Sequence, residues 1–190
     1  MKIALITGAS QGIGSAIAKE LNQKKIKVIL VARSKVKLKK IQTSLKFPKN
    51  SIIISKDLRS LSACNSIGAK IKKLNYLINV AGATKGGSFL KLKDNVWDDG
   101  FNLKFKAAVR LSRNFWKTLR RNKGKVINIG GGAARNPSHT FMIGGAVNSA
   151  LNNFSRALAM QGKIDKVSVS IIHPGMTLTS RLKKLLETDS

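Results

Sequence analysis

Short apolar, β-branched runs alternate with longer amphipathic stretches along the whole chain. The runs are Lys2 to Ile6, Lys27 to Val31, Ser51 to Ile54, Leu77 to Val80, Lys125 to Ile129 and Val167 to Ile172. Between them, apolar residues recur at helical spacing over Gly14 to Asn22, Lys37 to Leu45, Val96 to Arg121 and Gly145 to Met160. A strand that is apolar throughout has no face to offer water, so such strands belong to a parallel sheet covered by helices on both sides. The pattern predicts an α/β fold with about six parallel strands, doubly wound in the order 3-2-1-4-5-6. No internal repeat is visible and no Pro/Gly/Ser-rich linker divides the chain, so residues 1–190 are expected to form one domain.

Composition narrows the reading. No apolar run reaches the ~18 residues a membrane helix needs, and Met1 to Ile6 is too short for a secretory signal core, which places the chain in the cytoplasm as an expectation. With Cys64 as the one cysteine, an intramolecular disulfide and a cysteine-rich metal site are both excluded, and no metal site is assigned. The net charge of +28 would by itself suggest a polyanion partner. Its distribution argues against nucleic acid. Of the 36 basic residues 27 are Lys, scattered over Lys19, Lys24, Lys25, Lys37, Lys72, Lys104, Lys117 and Lys183 among others, whereas bidentate recognition of phosphates or bases favours Arg. Lys35 to Lys49 is the densest basic stretch and keeps a polyanion-binding alternative open.

The first strand runs directly into Thr7-Gly8-Ala9-Ser10-Gln11-Gly12-Ile13-Gly14 and then a helical pattern. Glycines there let the backbone turn tightly and approach a pyrophosphate, whose charge meets the amides of a helix N-terminus. At these residues the chain resembles the short-chain dehydrogenase/reductase family, whose glycine motif is matched by Thr7, Gly8, Gly12 and Gly14. Further marks follow in order: Asp57-Leu58, Asn79-Val80-Ala81-Gly82, Trp97 with Asn102 and Leu103, and Pro174-Gly175 with Thr179. The resemblance implies a Rossmann-type domain that binds a nicotinamide dinucleotide. It implies cofactor contacts from Gly8, Ser10, Gln11, Gly12, Ile13 and Gly14, from Asp57 and Leu58, from Asn79, Ala81 and Gly82, and from Pro174, Gly175, Thr177 and Thr179. At the end of the second strand stand Arg33 and Ser34 with no acid, which favours NADP(H) over NAD(H).

The catalytic pattern of the family departs sharply here. The resemblance calls for Ser, Tyr-x-x-x-Lys and a helix Asn, and in register these positions hold Gly131, Gly144, Asn148 and Asn102. Misalignment does not restore the motif, because the one tyrosine is Tyr76, at the wrong end of a strand. Two replacements are candidates: His139 as proton donor, or the Asn148 amide with the backbone N–H groups of Gly130, Gly131 and Gly132 as oxyanion donors. Against them stand plainer roles: Ser138 or Thr140 as a helix N-cap beside His139, glycines that pack closely, and a structural Asn102. Family members also continue beyond Pro174-Gly175 into a substrate-covering segment. This sequence stops at Ser190, with one amphipathic stretch over Arg181 to Glu187, so a truncated copy, an open divergent site and a piece of a longer protein all stay in view.

Three functions follow. The first is an NADP-dependent oxidoreductase moving hydride between nicotinamide and an unidentified carbonyl or alcohol at a non-standard site. The second is an inactive dinucleotide-binding or scaffold protein, and the third is a basic polyanion binder. The resemblance also implies a homodimer or homotetramer through the fourth and fifth helices, by Phe101, Phe105 and Leu111 and by Leu151, Phe154 and Leu158. Those residues could equally face the sheet.

Overall fold

A computed structural model describes residues 1–175 and residue 177. Six strands form one parallel sheet: β1 (Ile3–Thr7), β2 (Lys27–Ala32), β3 (Ser51–Ser55), β4 (Tyr76–Asn79), β5 (Lys125–Ile129) and β6 (Ser168–Ile172), in the order β3-β2-β1-β4-β5-β6. This is the expected order, with most strand ends moved by one residue. Along β1, Leu5 enters a core on one face while Ala4 and Ile6 enter a second core on the other, so this stretch of the strand is apolar on both sides for a packing reason.

Helices α1 (Gly12–Gln23) and α2 (Lys35–Thr43) cover the Ala4/Ile6 face through Ala18 and Leu38. The opposite face is covered by α3 (Leu61–Lys70), absent from the expected segments, and by α5 (Ala107–Arg121) through Ile67, Leu111, Phe115 and Leu119. All four are essentially inaccessible to water. Burying each such side chain contributes roughly 1.5–3 kcal/mol. Ser34 and Ser60 start α2 and α3, their hydroxyls accepting the N–H groups of Lys37 and Ala63.

Two expected helices are corrected by the structure. Val96 to Arg121 is not one regular α-helix: α4 (Asp94–Gly100) passes into a π-wound segment, Phe101–Lys106, before α5 begins. There the Ala107 N–H reaches back five residues to the Asn102 carbonyl. The helix expected from Gly145 starts earlier, as α6 (Met142–Asp165). Phe141 is its N-cap and neither Ser138 nor Thr140 caps it; the two hydroxyls bond each other at 3.0 Å. Leu111 and Leu151 belong to the interior and so cannot serve an interface, while Phe101, Phe105 and Phe154 remain half-buried in an edge-to-face row. Thr179 and Arg181 to Glu187 lie outside the described residues. Among the described residues no helix is long and apolar enough to cross a membrane.

Candidate functional site

The chain reverses direction across the sheet between β1 and β4, and the crevice outside the strand ends at such a point is where ligands bind in open α/β sheets. Here the two strand ends are fastened by Thr7. Its buried hydroxyl accepts the N–H groups of Val80 at 2.9 Å and Ala81 at 3.0 Å. Gly8 follows with φ +65°, and a Cβ there would come within 3.0 Å of the Ala81 backbone. Gly12 also has a positive φ, which favours glycine, and a Cβ on Gly14 would collide with the Gly8 carbonyl, so a side chain is excluded at Gly14. The turn delivers the N-terminus of α1, with no acid in its first turn and no side-chain cap from Gln11, into a cleft of about 370 Å³.

Gly8, Ser10, Gln11, Gly12, Ile13 and Gly14 line the middle of this cleft. Arg33, Ser34, Lys37, Lys56 and Leu58 line one end, where β2 and β3 finish. The other end is lined by Val80, Ala81, Gly82, Leu103, Lys104, Ile129, Gly130 and Pro174. Four cations therefore face it, and among the described residues no carboxylate does. The donor set fits a dinucleotide bearing phosphates: helix amides and glycines at the centre, cations without competing acids around it.

Several expected contacts sit elsewhere. Asn79 is buried beneath the floor and donates to Asn128 at 2.8 Å, which in turn donates to Ser155, so its side chain is a packing group and does not line the cleft. Asp57 stands beside the cleft with its carboxylate gripped by Arg59, which also holds Asp99. Those Arg59 hydrogen bonds hold the Asp57 carboxyl below the ordinary carboxylate range and push the guanidinium higher still. Ser34 lines the cleft while capping α2. Gly175 and Thr177 are exposed just past Pro174, where the Thr177 hydroxyl donates to the Gly175 carbonyl.

Beyond Gly130, Gly131 lies against Asn148, which bonds back to Gly144. A Cβ on Gly131 would lie 3.0 Å from the Asn148 amide nitrogen. Asn148 is buried, donates to its own helix at Gly144 O, 2.8 Å away, and leaves its Oδ1 without a partner. A Cβ on Gly144 would fall inside the ring of Phe141, so that ring fills the place where a tyrosine side chain would begin. Of the three glycine N–H groups expected as oxyanion donors, two are engaged elsewhere: Gly130 N–H donates to Ile172 O of β6 at 2.8 Å. Gly131 N–H donates to His173 Nδ1 at 3.1 Å, while His173 Nε2 lies 3.1 Å from Asn152 Oδ1. His139 is exposed on the segment before α6 and lies outside the cleft lining. Asn102 is half-buried at the start of the π-wound segment. Sequence reasoning missed Lys104, Phe141 and His173. Only Lys104 carried a local hint, being next to Leu103 in the motif that follows Trp97.

The family model described as short chain dehydrogenase matches residues 2–190. The chain belongs to that family. Among its relatives, a 3-oxoacyl-(acyl-carrier-protein) reductase of Rickettsia typhi is 32% identical, over 98% of this chain and 77% of its own length. A 2,3-dihydro-2,3-dihydroxybenzoate dehydrogenase of Bacillus subtilis is 29% identical, over 94% of this chain and 70% of its own. The crystal structure of L-sorbose reductase from Gluconobacter frateurii, complexed with NADPH and L-sorbose, superposes with a TM-score of 0.90 at 28% identity, covering all of this chain and 76% of that one. The family is one of oxidoreductases with a Rossmann-type fold, and this chain shares its six-stranded parallel sheet.

Proposed function

We propose that this chain binds NADP(H) and exchanges hydride between its nicotinamide and a carbonyl or alcohol substrate without a tyrosine acid. The observation that carries this reading is the cleft at the β1/β4 switch point, glycine-floored and lined by four cations with no carboxylate among the described residues. Arg33, with Lys37 behind it in the first turn of α2, suits a 2′-phosphate; a helix N-terminus adds favourable amides for the same anion. The NADPH carried by L-sorbose reductase in its crystal structure agrees with this preference. When bound, the dinucleotide supplies the hydride, and the chain binds, orients and shields it.

Asn102, His139 and Asn148 stay as candidates for the proton path. Asn102 sits on a π-turn, a local winding that often marks functional positions. Asn148 offers a buried, unpartnered acceptor beside Gly131. His139 is tethered near this end because the Gly87 N–H, in the loop after β4, donates to the neighbouring Thr140 carbonyl at 2.8 Å.

One observation favours a second reading, dinucleotide binding without turnover: the Phe141 ring occupies the tyrosine's place. Groups that act as a unit lose nearly all their effect when one is removed. Fluorescence titration with NADPH, followed in the same cuvette by aldehydes, ketones, quinones and 3-oxoacyl thioesters, separates the two. Saturable binding with substrate-dependent loss of NADPH supports the oxidoreductase. Saturable binding without loss supports the second reading, and no binding refutes both.

The half-buried row of Phe101, Phe105 and Phe154 supports self-association as a homodimer or homotetramer through α4–α5 and α6. A monomeric mass by light scattering at micromolar concentration refutes it.

A further inference from the structure

Lys104 leaves the π-wound segment on the cleft side and lies along Gly82. A Cβ on Gly82 would come 2.8 Å from Lys104 Cδ, so the glycine is what admits the lysine stem. Its Nζ donates to the Gly130 carbonyl at 3.2 Å, at the C-terminal end of β5. The cations Arg33, Lys37 and Lys56 cluster at the far end, where β2 and β3 finish. Among the described residues lining the β4/β5 end, Lys104 is the charged one. No residue of α6 is among the described residues lining the cleft; Asn148 is buried, with its amide donating to its own helix.

We propose that Lys104 is the positioning residue for the nicotinamide-ribose half of the bound dinucleotide. Its ammonium enters that end of the cleft from the π-wound segment, where α6 supplies no cation, and donates hydrogen bonds to ribose hydroxyls. The assignment rests on the dinucleotide reading above. A dinucleotide anchored by the glycine turn and by Arg33 at the adenosine end still pivots about its pyrophosphate; a charged donor at the opposite end fixes the second point. Charge-assisted hydrogen bonds are about twice as strong as neutral ones, which makes a lysine suited to this task.

Two probes separate the ends of the cleft: NADPH, which fills both, and adenosine 2′,5′-bisphosphate, which fills only the end with Arg33. Lys104→Met keeps the stem that packs on Gly82 and removes the charge. The expected result is NADPH binding weakened about tenfold or more, bisphosphate binding unchanged within about twofold, and partial recovery in Lys104→Arg. Unchanged NADPH affinity, or an equal loss for both probes, overturns the assignment. Should Lys104→Met fail to fold, acetylation of the unaltered protein, read by mass spectrometry, decides the matter. NADPH should protect Lys104 and the bisphosphate should not; equal labelling with and without NADPH overturns the proposal. An unaltered chain that binds neither probe overturns the dinucleotide reading itself, and this assignment with it.

Discussion

The hydroxyl of Thr7 is the sharpest place to test how the cleft is held open. Thr7→Val preserves the shape of the side chain and deletes the acceptor shared by the Val80 and Ala81 N–H groups, at 2.9 and 3.0 Å. Each donor left unsatisfied costs about 1–3 kcal/mol, and since both lie in a partly buried stretch the lower half of that range applies, giving a total of about 2–4 kcal/mol. For 190 residues the unfolding entropy is about 0.4 kcal/mol/K, so the midpoint of thermal unfolding should fall by about 5–10 °C. Thr7→Ser keeps the acceptor and should lose far less. Because Ala81 and Gly82 line the cleft, NADPH affinity should fall in parallel with stability in the valine variant and recover in the serine variant. Differential scanning calorimetry and fluorescence titration read the two effects. A Thr7→Val protein that melts within about 1 °C of the unaltered one would refute the claim that this hydroxyl fastens β1 to β4.

Arg33→Glu places an acid at the end of β2, and the ratio of NADPH to NADH affinity should fall by about a hundredfold or more; an unchanged ratio in paired titrations sinks the assigned role of Arg33. Gly144→Tyr alone should destabilise the fold by several kcal/mol because the new side chain meets the Phe141 ring, whereas Phe141→Ala with Gly144→Tyr should cost less than the sum of the single changes. Additive losses in denaturant unfolding would show that the two side chains do not compete for one space. Asp57 titrates below its ordinary value of 3.8, chiefly through hydrogen bonds from Arg59, so its contribution to stability is complete above that value and is lost as pH falls through the lower folded one. Arg59→Gln should therefore destabilise at pH 6 and make less difference near pH 2, and urea unfolding across that window checks the sign.

The strands were legible because a parallel sheet buried on both faces demands uninterrupted apolar runs, and Ala4, Leu5 and Ile6 satisfy two cores at once. The glycine turn was legible for the same kind of reason: positive φ with the Ala81 backbone close by at Gly8, and the Gly8 carbonyl against Gly14, leave glycine as the residue that fits those two positions, while the positive φ at Gly12 favours it. The loss of the Ser, Tyr and Lys positions was also visible, since composition admits one tyrosine and its position is fixed at Tyr76. What filled the space was not. Phe141 is three residues from Gly144 and reads as an ordinary apolar residue until α6 begins beside it. Likewise Gly130 and Gly131 looked available as donors until β6 and His173, more than 40 residues away, claimed both N–H groups. The π winding at Asn102 was not legible because its six residues are too few to separate the wider π turn from the 3.6-residue period of an α-helix.

The order of the sheet also governs how the chain reaches it. The central strand β1 is flanked by β2 and by β4, and its register with β4 pairs Ala4 with Tyr76, 72 positions away. A chain emerging from the ribosome can pair β1, β2 and β3 early, yet one edge of β1 stays open until Asn79 has been made. During that interval an apolar strand edge is exposed, and such edges recruit other chains. Chains that each carry a net charge of +28 repel one another, which opposes such pairing while their sheets are incomplete.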